Sequence, residues 1–159
     1  MDSKIGRYKK VAKEIGTVLH LETDPILMMS TISALLKSSF PEFLWVGFYR
    51  RTNQNELSIG PYQGKYGCLH IKFGNGVCGL CALQRKTVIV PDVSKFQNYI
   101  ACDSSTKSEI AVPVFDSKEN LIAVLDIDSN KLTDFDTIDK QYLEKIMRIF
   151  RESSSRVTG

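Results

Sequence analysis

The sequence predicts an α+β fold in which one antiparallel sheet is covered by helices from the two ends of the chain. Two observations carry that expectation. Apolar residues recur at helical spacing near both termini, and the middle holds β-branched and aromatic runs whose short polar turns favour antiparallel pairing. At 159 residues, 43% of them hydrophobic, the chain has the size of one domain with one core. Residues 1–159 read as a single domain, with helices in 1–40, the sheet and its pocket loops in 43–128, and a last helix in 134–152.

Ile5, Tyr8, Val11, Ile15, Val18 and Leu19 follow three- and four-residue steps, the spacing of one buried helical face. Asp24 can then cap and Pro25 begin a second helix, in which Met28, Ile32, Leu35 and Leu36 continue an apolar stripe. Residues 43–50 are aromatic and β-branched, a strand buried on both faces. The turn 53–55 leads into a second strand at 56–59, which Gly60 and Pro61 are expected to end. Residues 69–73 form a third strand, and Val77, Leu80, Cys81 and Gln84 suit a short helix after the glycines at 74 and 76. Residues 87–90 are strand-like, and 91–105 make a long polar connection carrying Cys102. Strands at 109–115 and 121–127 form a second hairpin around the polar turn 116–120. Thr133 or Asp134 caps the last helix, which places Leu143, Ile146, Met147 and Phe150 on one face and ends in a polar tail.

Charge narrows the function. The 21 basic and 18 acidic side chains leave a net charge of +3, scattered rather than collected in runs, which argues against nucleic acid or a membrane surface as partner. The N-terminal stretch with Arg7, Lys9 and Lys10 is too polar for an export signal, and no apolar run approaches the roughly 20 residues that span a bilayer. The expectation is a cytoplasmic protein whose cysteines are kept mostly reduced.

Those cysteines, at 68, 78, 81 and 102, fall in irregular or glycine-flanked segments of the middle of the chain. Cys81 suits a small buried hydrophobe on a helical face. Cys78 and Cys81 have the spacing of zinc ligands that Cys68 and Cys102 would complete, but structural zinc usually joins two close cysteine pairs and here there is one. No metal is therefore expected. Cys102 lies in a loop with Ser104, Ser105, Thr106 and Lys107, whose backbone donors and positive charge would favour a thiolate. Asp126 and Asp128, two apart on a strand, face the same way, with Glu109 near the start of the neighbouring strand. Parallel carboxylates repel; an ammonium-bearing substrate would neutralise them, and a Glu109 with raised pKa would donate a proton. Trp45, Phe48, Tyr49, Tyr62 and Tyr66 are expected in the core or lining a pocket, and the flat face of Trp45 would hold a sulfoxide or thioether group. His20 and His70 are isolated and receive no role.

The strings Trp45-Val-Gly-Phe-Tyr, Gly60-Pro-Tyr-Gln-Gly, Gly76-Val-Cys-Gly, Val90-Pro-Asp-Val, Ile100-Ala-Cys-Asp-Ser, Ser108-Glu-Ile-Ala-Val-Pro and Val124-Leu-Asp-Ile-Asp-Ser resemble those of the free methionine-(R)-sulfoxide reductases, enzymes built on a GAF domain. The resemblance implies a six-stranded antiparallel sheet with the terminal helices on one face and a ligand pocket on the other, in a homodimer. It also implies residue roles. Free methionine sulfoxide would place its ammonium at Asp126 and Asp128 and its methyl end at Trp45, with Tyr66 also at the substrate and Glu109 at the sulfoxide oxygen. Cys102 would attack and become a sulfenic acid, Cys68 would resolve it as a disulfide, and Cys78 would be able to take that disulfide over by exchange. Thioredoxin or another dithiol would recycle the enzyme, with no bound cofactor. Cys81 departs from the family pattern and leaves open which disulfides form on oxidation.

Overall fold

A computed structural model describes residues 2–154; Met1 and the polar tail at 155–159 lie outside the described residues. The elements run α1 (Lys4–Val18), α2 (Pro25–Ser39), β1 (Trp45–Asn53), β2 (Glu56–Gln63), β3 (His70–Lys72), α3 (Gly76–Gln84), β4 (Val88–Val90), a 3-10 turn at Val93–Lys95, β5 (Ser108–Phe115), β6 (Leu121–Ser129) and α4 (Thr137–Ser154). The strands form one six-stranded sheet in the order β3-β2-β1-β6-β5-β4, every pair antiparallel.

Alternation along the strands divides the apolar residues between two layers. Val46, Phe48, Ile110, Val112, Leu125 and Ile127 point to one face and pack in one core with Tyr8, Val11 and Ile15 of α1, Met28 and Ile32 of α2, and Leu143 and Phe150 of α4. Trp45, Tyr49, Ala111 and Val124 point to the other and meet Val77, Cys81 and Ala82 of α3. Burial on both faces is why β1 opens as an unbroken apolar run.

Capping fixes the helix starts. Ser3 Oγ accepts the Gly6 N–H at 3.1 Å, and Asp24 Oδ1 accepts that of Ile26 at 2.9 Å. The start of α4 differs from expectation: Thr133 has φ +54°, the Asp134 carboxylate accepts from Ser129, and Asp136 accepts the Ile138 N–H at 2.8 Å. The cap therefore falls at Asp136, which frees residues 130–135 to cross from β6 to the helix layer. Inside that layer the Tyr8 hydroxyl donates to Asp139 at 2.6 Å and the Lys4 ammonium meets the same carboxylate at 2.7 Å, tying α1 to α4.

Strand β2 also departs from the sequence reading, running through Gly60 and Pro61 to Gln63. Its β3 partner ends at Ser58, so the later half of β2 is bonded only to β1 and Pro61 has no ladder partner to deprive of an N–H. No helix among the described residues is long and apolar enough to cross a membrane.

Candidate active site

Register builds the floor of the site. Val90, Glu109, Asp128 and Trp45 stand opposite one another on β4, β5, β6 and β1, and two residues along stand Val88, Ala111, Asp126 and Gly47. Glu109, Asp126 and Asp128 thus share the sheet face that α3 covers. A Cβ on Gly47 would come within 2.7 Å of the Trp45 ring and 2.3 Å of Tyr62 Cβ. Its absence lets Trp45 stack between Tyr49 and Tyr62, at ring separations of 5.7 and 5.2 Å. Sequence reasoning missed Gly47, whose signal was a glycine inside a buried strand.

The roof comes from α3 and the loop before β5. The Cys78 thiol on α3 donates to Glu109 Oε1 at 3.9 Å, and the Gly76 N–H donates to the Asn98 carbonyl at 3.1 Å, joining helix and loop. Cys102 lies in that loop and is joined by a disulfide to Cys68, with 5.3 Å between their Cα atoms. Cys78 and Cys81 are free and buried. Cys102, Cys78, Glu109, Asp126, Asp128, Tyr49 and Tyr99 line one cavity of about 20 Å³. That is room for about one water molecule. Tyr99, a wall of this cavity, was also missed: its loop position carries no periodic signal.

Burial dominates the electrostatics. It pushes Glu109 well above the usual carboxyl range, with Asp126 and then Asp128 adding repulsion, and burial and Asp126 raise Asp128 in the same way. Asp126 is raised by burial as well. Three carboxyls so close cannot all ionise, so the cluster retains protons near neutrality. One oxygen each of Asp126 and Asp128 is buried with no hydrogen-bond partner, an arrangement that a bound cation would satisfy. Burial, then Asp126 and Glu109, hold the Cys78 thiol well above its ordinary pKa. Cys78, Glu109 and Asp126 also offer atoms within 4.8 Å of one another, the spacing of metal ligands. A metal there would have to displace protons that burial favours on all three.

The structure brings together Cys102, Cys78, Glu109, Asp126 and Asp128, with Cys68 bonded to Cys102. Trp45 lies beside them, stacked on Tyr49 and donating its indole N–H to the Lys65 carbonyl at 2.9 Å. Tyr66 departs from the expectation of a core or pocket residue: it is 83% exposed and is not among the residues lining the cavity. The donors expected to serve the Cys102 sulfur are also engaged elsewhere. The Ser105 N–H binds Asp103 Oδ1 at 2.8 Å, the Thr106 N–H binds the Asp103 carbonyl at 3.2 Å, and Lys107 is exposed. A larger groove of about 640 Å³ lies between α4 and the β4–β5 edge, but it holds no thiol and its one carboxylate, Glu144, accepts from Thr87.

Comparison with known proteins places this arrangement. The GAF domain family matches residues 27–150. The chain is 44% identical over 147 residues to GAF domain-containing protein A of Dictyostelium discoideum, covering 92% of each chain. It is 42% identical to the free methionine-R-sulfoxide reductase of Saccharomyces cerevisiae, over 79% of this chain and 73% of that one. The structure of free methionine-R-sulfoxide reductase from Neisseria meningitidis in complex with its substrate superposes with a TM-score of 0.92 at 38% identity, covering 99% of this chain and 95% of that one.

Proposed function

The chain belongs to the GAF domain family and, within it, to the free methionine-R-sulfoxide reductases, and from that premise we propose that it reduces free L-methionine (R)-sulfoxide at the Cys102 cavity. The single observation that carries the reading is the convergence of a redox-joined cysteine, a buried proton-holding glutamate and two unpartnered aspartate oxygens on one cavity.

Each group has work in such a reaction. The ammonium of a free amino acid neutralises Asp126 and Asp128, each of which has one buried oxygen without a hydrogen-bond partner. The sulfoxide end lies toward Tyr49 and Trp45, and the protonated Glu109 donates to its oxygen. The Cys102 thiolate attacks the sulfoxide sulfur, methionine leaves, and the oxygen stays on Cys102 as a sulfenic acid. Condensation with the Cys68 thiol releases that oxygen as water and forms the 68–102 disulfide. Cys78 would take the disulfide over by exchange only once it ionises, which its burial opposes in this state. A dithiol such as thioredoxin, at a potential of about −270 mV, then restores the two thiols.

In the disulfide state the cavity is far smaller than an amino acid, so reduction has to precede substrate entry. Peptide-bound sulfoxide is expected to be a poor substrate, because its nitrogen carries no charge for the aspartates. The reading retains a cytoplasmic homodimer with no bound cofactor and no nucleic-acid or membrane partner; light scattering measures the oligomeric state.

A GAF module that only binds a small ligand is the rival reading, and Cys102→Ser separates the two. The variant should bind free methionine (R)-sulfoxide yet release no methionine with a thiol reductant. Turnover at the wild-type rate would remove Cys102 as nucleophile.

A further inference from the structure

We propose that the exposed side chains of Tyr66 and Leu69 form the docking surface for the protein dithiol that reduces the Cys68–Cys102 disulfide, and that this dithiol attacks at Cys68. The proposal rests on the reductase reading above and adds the surface that completes its cycle.

Tyr66 and Leu69 are 83% and 62% exposed and stand on either side of Cys68. Large apolar side chains left in water beside a redox-active bond are what an interaction surface leaves uncovered between encounters. Their backbone is held. The Trp45 indole donates to the Lys65 carbonyl at 2.9 Å, and the Ile59 N–H donates to the Leu69 carbonyl at 2.9 Å. Between them, Gly67 sits so close to the pocket wall that a Cβ would meet the Tyr49 hydroxyl at 3.0 Å. Five residues pinned at both ends and pressed down at the middle hold the backbone from which Tyr66 and Leu69 project, which lowers the backbone entropy lost when a partner seats on them.

The two sulfurs are not equivalent. Both are half-buried, but Cys102 lines the cavity while Cys68 lies between the two exposed side chains, so a partner seated on Tyr66 and Leu69 meets Cys68 first. A thiolate of the partner attacks Cys68 Sγ; the bond between the two sulfurs breaks, and Cys102 leaves with the electron pair and takes a proton. The partner's second thiolate then attacks its own sulfur in the mixed disulfide, giving an oxidised partner and the Cys68 thiol. Attack from outside thus frees the nucleophile directly into the cavity where the next substrate binds.

The test is the double variant Tyr66→Ser, Leu69→Ser, assayed on free methionine (R)-sulfoxide with two reductants: thioredoxin with its reductase and NADPH, and dithiothreitol. The expected result is a rise of about tenfold or more in KM for thioredoxin, the loss typical of an aromatic anchor, with the dithiothreitol-supported rate unchanged. Unchanged kinetics with both reductants would overturn the proposal, and so would an equal fall with both, which would put these side chains at the substrate instead. Wild-type protein silent with both would remove the reductase reading itself. A thioredoxin lacking its second active-site cysteine should be trapped on the peptide bearing Cys68; trapping on Cys102 would overturn the direction of attack.

Discussion

The acid–base role proposed for Glu109 comes from its surroundings rather than its type. Burial and two neighbouring aspartates raise it, so its proton is retained where an exposed glutamate would have lost it. The same fact sets a pH dependence of stability. A carboxyl with a raised folded-state pKa stabilises fully below its ordinary value, 4.5 for Glu109 and 3.8 for Asp128, and that contribution is lost as pH rises through the folded values. Glu109→Gln removes the titration without removing the side-chain volume. The variant should melt higher than wild type at neutral pH, by about 2–4 °C for each kcal/mol recovered, and should lose roughly 10²–10⁴-fold in kcat. Its rate should also lack the alkaline fall expected of the wild type as Glu109 deprotonates. Calorimetry and a pH–rate profile read the two effects separately, and a variant both less stable and fully active would contradict the assignment.

Among the elements, α3 carries the tightest constraint. A Cβ on Gly79 would lie 2.4 Å from the Lys72 carbonyl and 3.2 Å from the Gly74 nitrogen, so the helix rests directly on the chain leaving β3. That contact sets the height of Cys78 over Glu109. Gly79→Ala should lift the helix, destabilise the protein by about 1–3 kcal/mol as overpacking does, and make Cys78 react faster with a maleimide as its burial is relaxed. Denaturant midpoints and thiol-labelling rates measure both, and a fully tolerated alanine would place the weight of the packing elsewhere.

The whole molecule places structure and chemistry on opposite faces of one sheet. Helices α1, α2 and α4 close the larger core, while α3 and the loops close the smaller one around the acidic cluster. The Tyr8–Asp139–Lys4 contact joins the first and last helices across the structural face, remote from the cysteines in the fold. Tyr8→Phe leaves the buried Asp139 short of one donor and should cost about 1–3 kcal/mol, with kcat unchanged. A matching loss in kcat would mean that the two faces are coupled.

The sequence by itself determined the elements and their order, because helical stripes such as Tyr8, Val11 and Ile15 and strand runs such as residues 45–49 are periodic and their burial follows from the period. It also placed Asp126 and Asp128 on one face, since alternation in a strand is local. Local pattern failed at the cap of α4, where Thr133, Asp134 and Asp136 are all capable and packing chose the last, and at Pro61, whose tolerance depends on which strand lies beside it. The meeting of Cys102 with Cys68 was legible only through the family resemblance, and only the tertiary structure decided that Cys78 sits above Glu109 and that Tyr66 is exposed. Those side chains stand in loops or on a short helix whose positions come from contacts distant in sequence, among them the Trp45 hydrogen bond to Lys65 and the Gly76 hydrogen bond to Asn98, which no periodicity encodes.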